Sequence, residues 1–278
     1  MGILNVTPDS FSDGSLFFDR EEAVKHGLQL VEEGADIIDI GGESSRPGAD
    51  PIAADEELRR VIPVVSELRE KSDALLSIDT TKAEVAHKAL EAGADIINDI
   101  SSFRFDAEML PLACEKKVPA IIMHMLGMPK SMQNNPTYEN LWEEIKAFFR
   151  ERFTALLEAG MASEKIILDP GIGFGKRFED NLCLIRDLKV MEVFDRPILV
   201  GLSRKAFIGR ILNATPQNRI EGSLAAAVLS ISNGAHILRV HDVASTRKAM
   251  RVAEAILNDT EYQDNCHLGT EKKQPYVC

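Results

Sequence analysis

Glu33-Gly-Ala-Asp-Ile-Ile-Asp39 decides the fold, because the chain repeats its grammar at Glu91-Ala-Gly-Ala-Asp-Ile-Ile-Asn98 and at Asn233-Gly-Ala-His-Ile-Leu-Arg239. In each copy a helix ends, a glycine caps it and an apolar strand begins. Working outward from these points, the pattern predicts strands near 3–7, 36–41, 75–79, 96–100, 120–124, 166–169, 198–202 and 236–241, each followed by a helical segment. Leu58, Val61, Ile62, Val65 and Leu68 share one helical face, as do Leu141, Ile145, Phe148, Phe149 and Leu156. Thr81-Lys-Ala-Glu84 predicts a capping box opening another helix. Eight such units predict an α/β fold, a (β/α)8 barrel forming a single domain over residues 1–257, with no shift in composition to mark a linker. An open, doubly wound sheet is the alternative. Residues 258–278 are polar and aperiodic and read as a loose C-terminal tail.

The 278 residues, 45% of them hydrophobic, supply ample material for a core. Lys and Arg total 32 against 44 Asp and Glu, a formal net charge of -12. That balance argues against nucleic acid or an anionic membrane as partner and leaves open a local basic pocket for a small anion. Cys114, Cys183, Cys266 and Cys278 have neither CxxC spacing nor a histidine at metal-site spacing, so they read as reduced thiols of a cytoplasmic protein. No apolar run approaches the ~20 residues of a membrane helix, and Met1-Gly-Ile-Leu-Asn-Val6 lacks the features of a signal peptide.

In a barrel of this kind the reacting groups stand at the C-terminal ends of the strands. Those ends carry Asn5, Glu43-Ser-Ser-Arg46, Asp79, Asn98-Asp99, His124, Asp169, Ser203-Arg-Lys205, Arg239 and His241. Taken singly each has a plain structural reading: Asp79 as a helix-entry residue, His124 as a satisfied core histidine, Arg204-Lys205 as surface charge. Charged groups converging from separate strands need partners or a ligand. Arg46, Lys205, Arg239 and His241 are donors suited to a phosphate or diphosphate. Asp79, Asn98 and Asp169 suit a flat, donor-rich heterocycle. Asn5 offers an amide oxygen that Mg2+ can use alongside substrate phosphate and water. Asp169 opens Asp169-Pro-Gly-Ile-Gly-Phe-Gly-Lys176, a glycine loop that reads either as a phosphate cradle or as a turn leaving Asp169 at a pocket mouth. There is no HExxH, no cysteine cluster and no defensible Ser-His-Asp order, which argues against a zinc hydrolase or a serine nucleophile.

Gly2-Ile-Leu-Asn-Val-Thr-Pro-Asp-Ser-Phe-Ser-Asp-Gly14, Gly41-Gly-Glu-Ser-Ser-Arg-Pro-Gly48, Asp79-Thr-Thr-Lys82, Asn98-Asp-Ile100, Asp169 to Lys176, Ser203-Arg-Lys205 and Arg239-Val-His-Asp242 resemble the motifs of the dihydropteroate synthases, in order, up to about Leu257. The resemblance implies a TIM-barrel transferase of folate synthesis. Such enzymes join 4-aminobenzoate to 6-hydroxymethyl-7,8-dihydropterin diphosphate, with Mg2+ present, through a dissociative displacement at the pterin methylene. It implies that Asp79, Asn98, Asp169 and Lys205 hold the pterin and its surroundings. Asn5, Arg46, Arg239 and His241 would engage the diphosphate, with Asn5 near the metal, and Ser45, Phe174 and Ser203 would border the aminobenzoate. Asp79, Asp169, Lys205, Arg239 and His241 form the expected catalytic set. The loops after Asn5 and after Gly42 would close over the substrates, Lys176 would be structural or solvated charge, and the assembly would be a homodimer.

Three positions depart from the family pattern. Ser45 stands where Thr is common, keeping the hydroxyl and losing a methyl contact on the side where sulfonamide mimics of aminobenzoate bind. The first loop reads Asp13-Gly-Ser15 where a second glycine is common, and Met1 falls where relatives carry a segment covering the barrel floor. Among rival readings, a methyltransferase on the same barrel would give Arg46, Arg239 and His241 no diphosphate to meet. A non-catalytic pterin binder would have no need of Asn5, Lys205 and His241 together. A nucleotide oxidoreductase founders on Gly171-Ile-Gly-Phe-Gly175, which is GxGxG rather than GxGxxG.

Overall fold

The computed structural model describes residues 1–7, 16–45 and 48–257; the first loop at 8–15, Arg46 with Pro47, and the tail at 258–278 lie outside the described residues. Among the described residues eight strands run β1 (Gly2–Asn5), β2 (Ile37–Gly41), β3 (Leu75–Asp79), β4 (Ile96–Asp99), β5 (Ala120–Met123), β6 (Ile166–Asp169), β7 (Leu199–Gly201) and β8 (Ile237–Arg239). The helices among the described residues are α1 (Leu16–Glu32), α2 (Ala54–Lys71), α3 (Ala83–Glu91), α4 (Met109–Lys116), α5 (Leu141–Glu158), α6 (Phe178–Arg186), α7 (Ala206–Leu212), α8 (Ile220–Ser232) and α9 (Val243–Leu257). All eight strands fall where the sequence pattern predicts them.

The repeated glycine motif does its work as a helix stop. Gly34, Gly93 and Gly234 have φ of 98°, 111° and 98°, a left-handed conformation that costs other residues dearly. The alanine after each glycine donates its N–H back into the helix, to the carbonyls of Leu30, Ala89 and Ser230, each at 2.9 Å. The chain is thereby reversed and sent into the next strand. Strands β1 to β6 pair in parallel in chain order, and β7 pairs with β8. Bridges between Leu168 and Ile198 and between Gly2 and Val240 join the two ladders at both ends. The ring is closed, so the open-sheet alternative, which would leave two edges, is set aside.

Two-residue alternation sorts each strand. Leu4, Ile38, Ile40, Leu76, Ile78, Ile97, Ile122, Leu168 and Val200 pack outward into the shell of helices, together with Val61, Val65 and Leu68 of α2 and Ile145 and Phe149 of α5. The inward positions form two layers. Ile96, Ile121 and Leu199, with Met1, Ile37, Ile167 and Ile237 against them, fill the lower barrel. One inward step further along the strands stand Asp39, Asn98, Met123, Asp169 and Arg239, with Asn5 and Asp79 on β1 and β3. Alternation alone thus turns a dry floor into a polar mouth.

One local expectation fails. Thr81-Lys-Ala-Glu84 forms no capping box, because α3 begins only at Ala83 and its cap position, Lys82, makes no side-chain cap bond. The Ala83 N–H is instead satisfied by Asp106 Oδ2 at 2.7 Å, from the loop after β4. Lys82 is drawn away by Glu43 and Glu57, each 2.6 Å from its ammonium, so a tertiary ion pair overrides the local motif.

Candidate active site

The polar mouth is organised around Asp39, which the sequence reading quoted but did not assign to the site. Asp39 is fully buried. It accepts Arg239 Nε at 2.6 Å and the Asn98 side-chain amide at 3.1 and 3.3 Å. Arg239 Nη2 reaches on to Asp79 Oδ2 at 2.7 Å. A signal for Asp39 existed: Asp39, Asn98 and Arg239 each stand five residues past the glycine of the repeated motif. Equivalent places in three βα units bring the three side chains to one level of the barrel.

Two carboxylates share this one guanidinium. Burial, and then the neighbouring Asp39, Glu57 and Asp99 charges, push Asp79 up to about 7 against the pull of Arg239. Arg239 stays charged: burial works against it, but Asp39 and Asp79 raise it above its usual value. Asn98 gives its amide hydrogens to Asp39, so Oδ1 is the atom it can offer a ligand.

Across the barrel, Asp169 ends β6 and is only 8% exposed. Its Oδ1 accepts the Gly171 N–H at 2.7 Å. Burial raises it to about 6, while that hydrogen bond and the Lys205, Arg239 and Lys176 charges oppose the shift. Lys205 opens α7 and lies with its ammonium 4.4 Å from the centroid of the Phe174 ring. Among the described residues its ammonium has no hydrogen bond, and burial lowers it to about 8. Phe174 rests in turn on Ile100, Met123, Met125 and Met132.

The third group is Ser203 with His241, whose Nδ1 lies 3.1 Å from Ser203 Oγ. Ser203 is buried, and its oxygen also accepts the His241 backbone N–H at 3.3 Å. Burial, followed by the Arg239 and Arg204 charges, lowers His241 to about 4. Arg204, which the plain reading left as surface charge, is ion-paired to Asp242 through bonds of 2.5 and 2.9 Å.

Asn5 is half-buried at the end of β1, paired in register with Gly41. Ser45 is half-buried in the loop after β2, close in sequence to Glu43, which is tied to Lys82 and to the Ile52 N–H. Arg46 lies outside the described residues. His124 is buried as the plain reading expects, its Nδ1 3.0 Å from Lys176 Nζ. Burial, then the Lys176 and Arg104 charges, hold His124 neutral, at about 2. Lys176 is no solvated charge; it is 3% exposed and wholly engaged within the protein. Among the described residues no group of three or more His, Cys, Asp or Glu is placed to hold a metal.

The pterin binding enzyme family model matches residues 1–241. The dihydropteroate synthase of Escherichia coli K12 is 48% identical over 261 residues, covering 94% of this chain and 92% of that relative. The crystal structure of Yersinia pestis dihydropteroate synthase with a sulfonamide drug complex superposes with a TM-score of 0.88 at 46% identity, over 92% of this chain and 93% of that one. The Xanthomonas albilineans dihydropteroate synthase with 4-aminobenzoic acid gives 0.86 at 45% identity, over 92% and 91%.

Proposed function

We propose how this site works from one premise: the chain belongs to the pterin binding enzymes and, among them, to the dihydropteroate synthases. It is a transferase of folate biosynthesis that joins 6-hydroxymethyl-7,8-dihydropterin diphosphate to 4-aminobenzoate. The observation that carries the site assignment is the ring of acceptors, half-buried Asp79 with buried Asn98 and Asp169, bounded by the cations Lys205 and Arg239.

In this reading the pterin enters edge-first. Its 2-amino group and ring N–H meet the Asp169 carboxylate, and Asn98 Oδ1 and Asp79 take further donors. Lys205, whose ammonium is without a hydrogen bond among the described residues, donates to the ring's acceptors. The diphosphate points toward Arg46, Arg239 and His241. The buried Ser203 hydroxyl gives its hydrogen to His241 Nδ1, which leaves the ring hydrogen on Nε2, aimed outward as a donor to phosphate oxygen. A neutral imidazole is what the lowered His241 value calls for.

Asn5 fits Mg2+ in a limited sense: it brings one hard amide oxygen, so the remaining ligands would be diphosphate oxygens and water. When bound there, Mg2+ supplies neutralisation of diphosphate charge. The C–O bond to the methylene breaks first, its electron pair leaving with diphosphate, and the pterin ring shares the positive charge with the methylene carbon. The arylamine nitrogen of 4-aminobenzoate, bordered by Ser45, Phe174 and Ser203, then forms the new C–N bond and releases a proton. No protein nucleophile is needed, and the fixed acceptors Asp79 and Asp169 stabilise the cationic ring as its charge grows. Sulfonamides, being aminobenzoate mimics, would occupy the Phe174 side of the same site.

The test is direct. Folded protein incubated with Mg2+, the pterin diphosphate and labelled 4-aminobenzoate should yield labelled dihydropteroate; no label transfer by protein shown to be folded overturns the reading. Among the described residues Cys114 and Cys183 are free thiols, which supports a reducing, cytoplasmic setting. A homodimer is supported by the outward apolar side chains of α8 and α9, where Leu229, Val252 and Ile256 are 57%, 61% and 75% exposed. Pairing Leu229→Glu with Ile256→Glu should leave a monomer in sedimentation velocity, and an unchanged sedimentation coefficient would count against that face.

A further inference from the structure

We propose that Lys176 is a positioning residue for the aminobenzoate end of the site, acting with Tyr138 and Gln133 as a clamp on the glycine loop that carries Phe174. The proposal rests on the assignment of Phe174 to that end.

A loop with three glycines has more conformational freedom to lose than any other stretch of its length, so something must fix it. Here the fixing comes from behind. Gly171, Gly173, Phe174 and Gly175 each present a carbonyl oxygen to a side-chain donor, two of them to Lys176 at the loop's own end and two to residues from before β6. Lys176 Nζ serves Gly171 at 3.1 Å and Phe174 at 3.0 Å, Gln133 Nε2 serves Gly173 at 2.6 Å, and the Tyr138 hydroxyl serves Gly175 at 2.6 Å. The same ammonium reaches His124 Nδ1 at 3.0 Å and the His124 carbonyl at 3.2 Å. One buried amino group, which desolvation lowers to about 7, therefore ties the loop after β6 to the end of β5. Its burial is tolerable because every N–H has an acceptor, and His124, held neutral, keeps a lone pair for it. The glycines let the two segments touch: a Cβ on Gly171 would sit 1.9 Å from the His124 carbonyl oxygen, and one on Gly175 2.5 Å from that of Leu126.

What the clamp holds is the Phe174 ring; Lys205, whose ammonium lies 4.4 Å from that ring, is placed separately by its position at the start of α7. The Asp169 backbone is fixed by the sheet, in register with Met123 on β5, and its side chain meets the loop only at its first glycine, Gly171. Loosening the clamp should consequently disturb the aminobenzoate end and spare the pterin end.

The experiment compares Lys176→Met, Tyr138→Phe and the reference Phe174→Ala. It reads KM for 4-aminobenzoate, Kd for the pterin and deuterium uptake across residues 170–176. The expected result is a KM for aminobenzoate raised about tenfold in Lys176→Met and about threefold in Tyr138→Phe, faster uptake in the loop, and pterin Kd changed less than twofold. Equal losses for both substrates, or no change in KM, would overturn the clamp. If Lys176→Met does not fold, Tyr138→Phe, which loses a single oxygen, decides by the same criterion. A raised KM in Phe174→Ala with none in the clamp variants rejects the clamp and leaves the site assignment standing. An unchanged KM in Phe174→Ala rejects both.

Discussion

An Asp169→Asn variant should bind the pterin about a hundredfold more weakly while melting no lower than the parent. The first half follows from hydrogen-bond inventory. An ionised carboxylate accepts two donors side by side, whereas a carboxamide offers one acceptor and turns an NH2 toward the second. Losing a charge-assisted bond and leaving a buried donor unpaired costs about 3 kcal/mol, which corresponds to two decades in affinity. The second half follows from the direction of the pKa shift. Burial raises Asp169 to about 6, so its contribution to stability is fully present below the unfolded value near 3.8 and is lost as pH rises through about 6. Asparagine carries no charge to bury, and its Oδ1 can keep the bond from the Gly171 N–H. The pH dependence separates the variants further. Parent affinity should fall as pH drops below about 6, where Asp169 takes up a proton, and the variant should lack that component. Calorimetric titration with the pterin at pH 5 and pH 7.5 reads both effects. Equal affinities for parent and variant at pH 7.5 would remove Asp169 from pterin recognition.

Much of this was legible in the sequence because the barrel repeats itself. The motif at Gly34, Gly93 and Gly234 announces helix stops and strand starts by local chemistry alone, and strand alternation then decides which residues face inward. Asp79, Asn98, Asp169 and Arg239 accordingly stand out in the sequence as polar strand-end residues. Asp39 is less legible because it lies mid-strand between Ile38 and Ile40, in a pattern that matches a buried run rather than a strand end. The role of Lys176 is hidden from the sequence for a different reason. Its partners are the main-chain carbonyls of Gly171 and Phe174 and a histidine 52 residues away, and no spacing rule encodes contacts of that kind. The capping box at Thr81 failed because the competing partners of Lys82, Glu43 and Glu57, are distant in sequence. Local signals thus carried the scaffold, and long-range ion pairs decided the exceptions.

The largest loss of stability is expected from Arg239→Met. The guanidinium is the shared cation of Asp39 and Asp79, at 2.6 and 2.7 Å, and Asp39 has no access to solvent. Removing one partner of a buried pair leaves uncompensated charge and costs about 3–5 kcal/mol. For a domain of this size that is a fall of about 10 °C in melting temperature at pH 7. The sign of the pH response identifies the cause. With the cation gone, nothing opposes the upward shift that burial gives Asp79, which favours its protonated state more strongly in the fold than in the unfolded chain. The deficit should therefore shrink as pH falls from 7 toward 5, opposite to a simple packing defect, which would be indifferent to pH. Adding Asp39→Asn to Arg239→Met should recover part of the loss at pH 7 and little at pH 5, since the amide removes the charge that lacks a partner. A melting temperature within 2 °C of the parent, or a deficit unchanged between pH 5 and pH 7, would show that Arg239 is held for the ligand alone and that the Asp39 network does not support the barrel's polar layer.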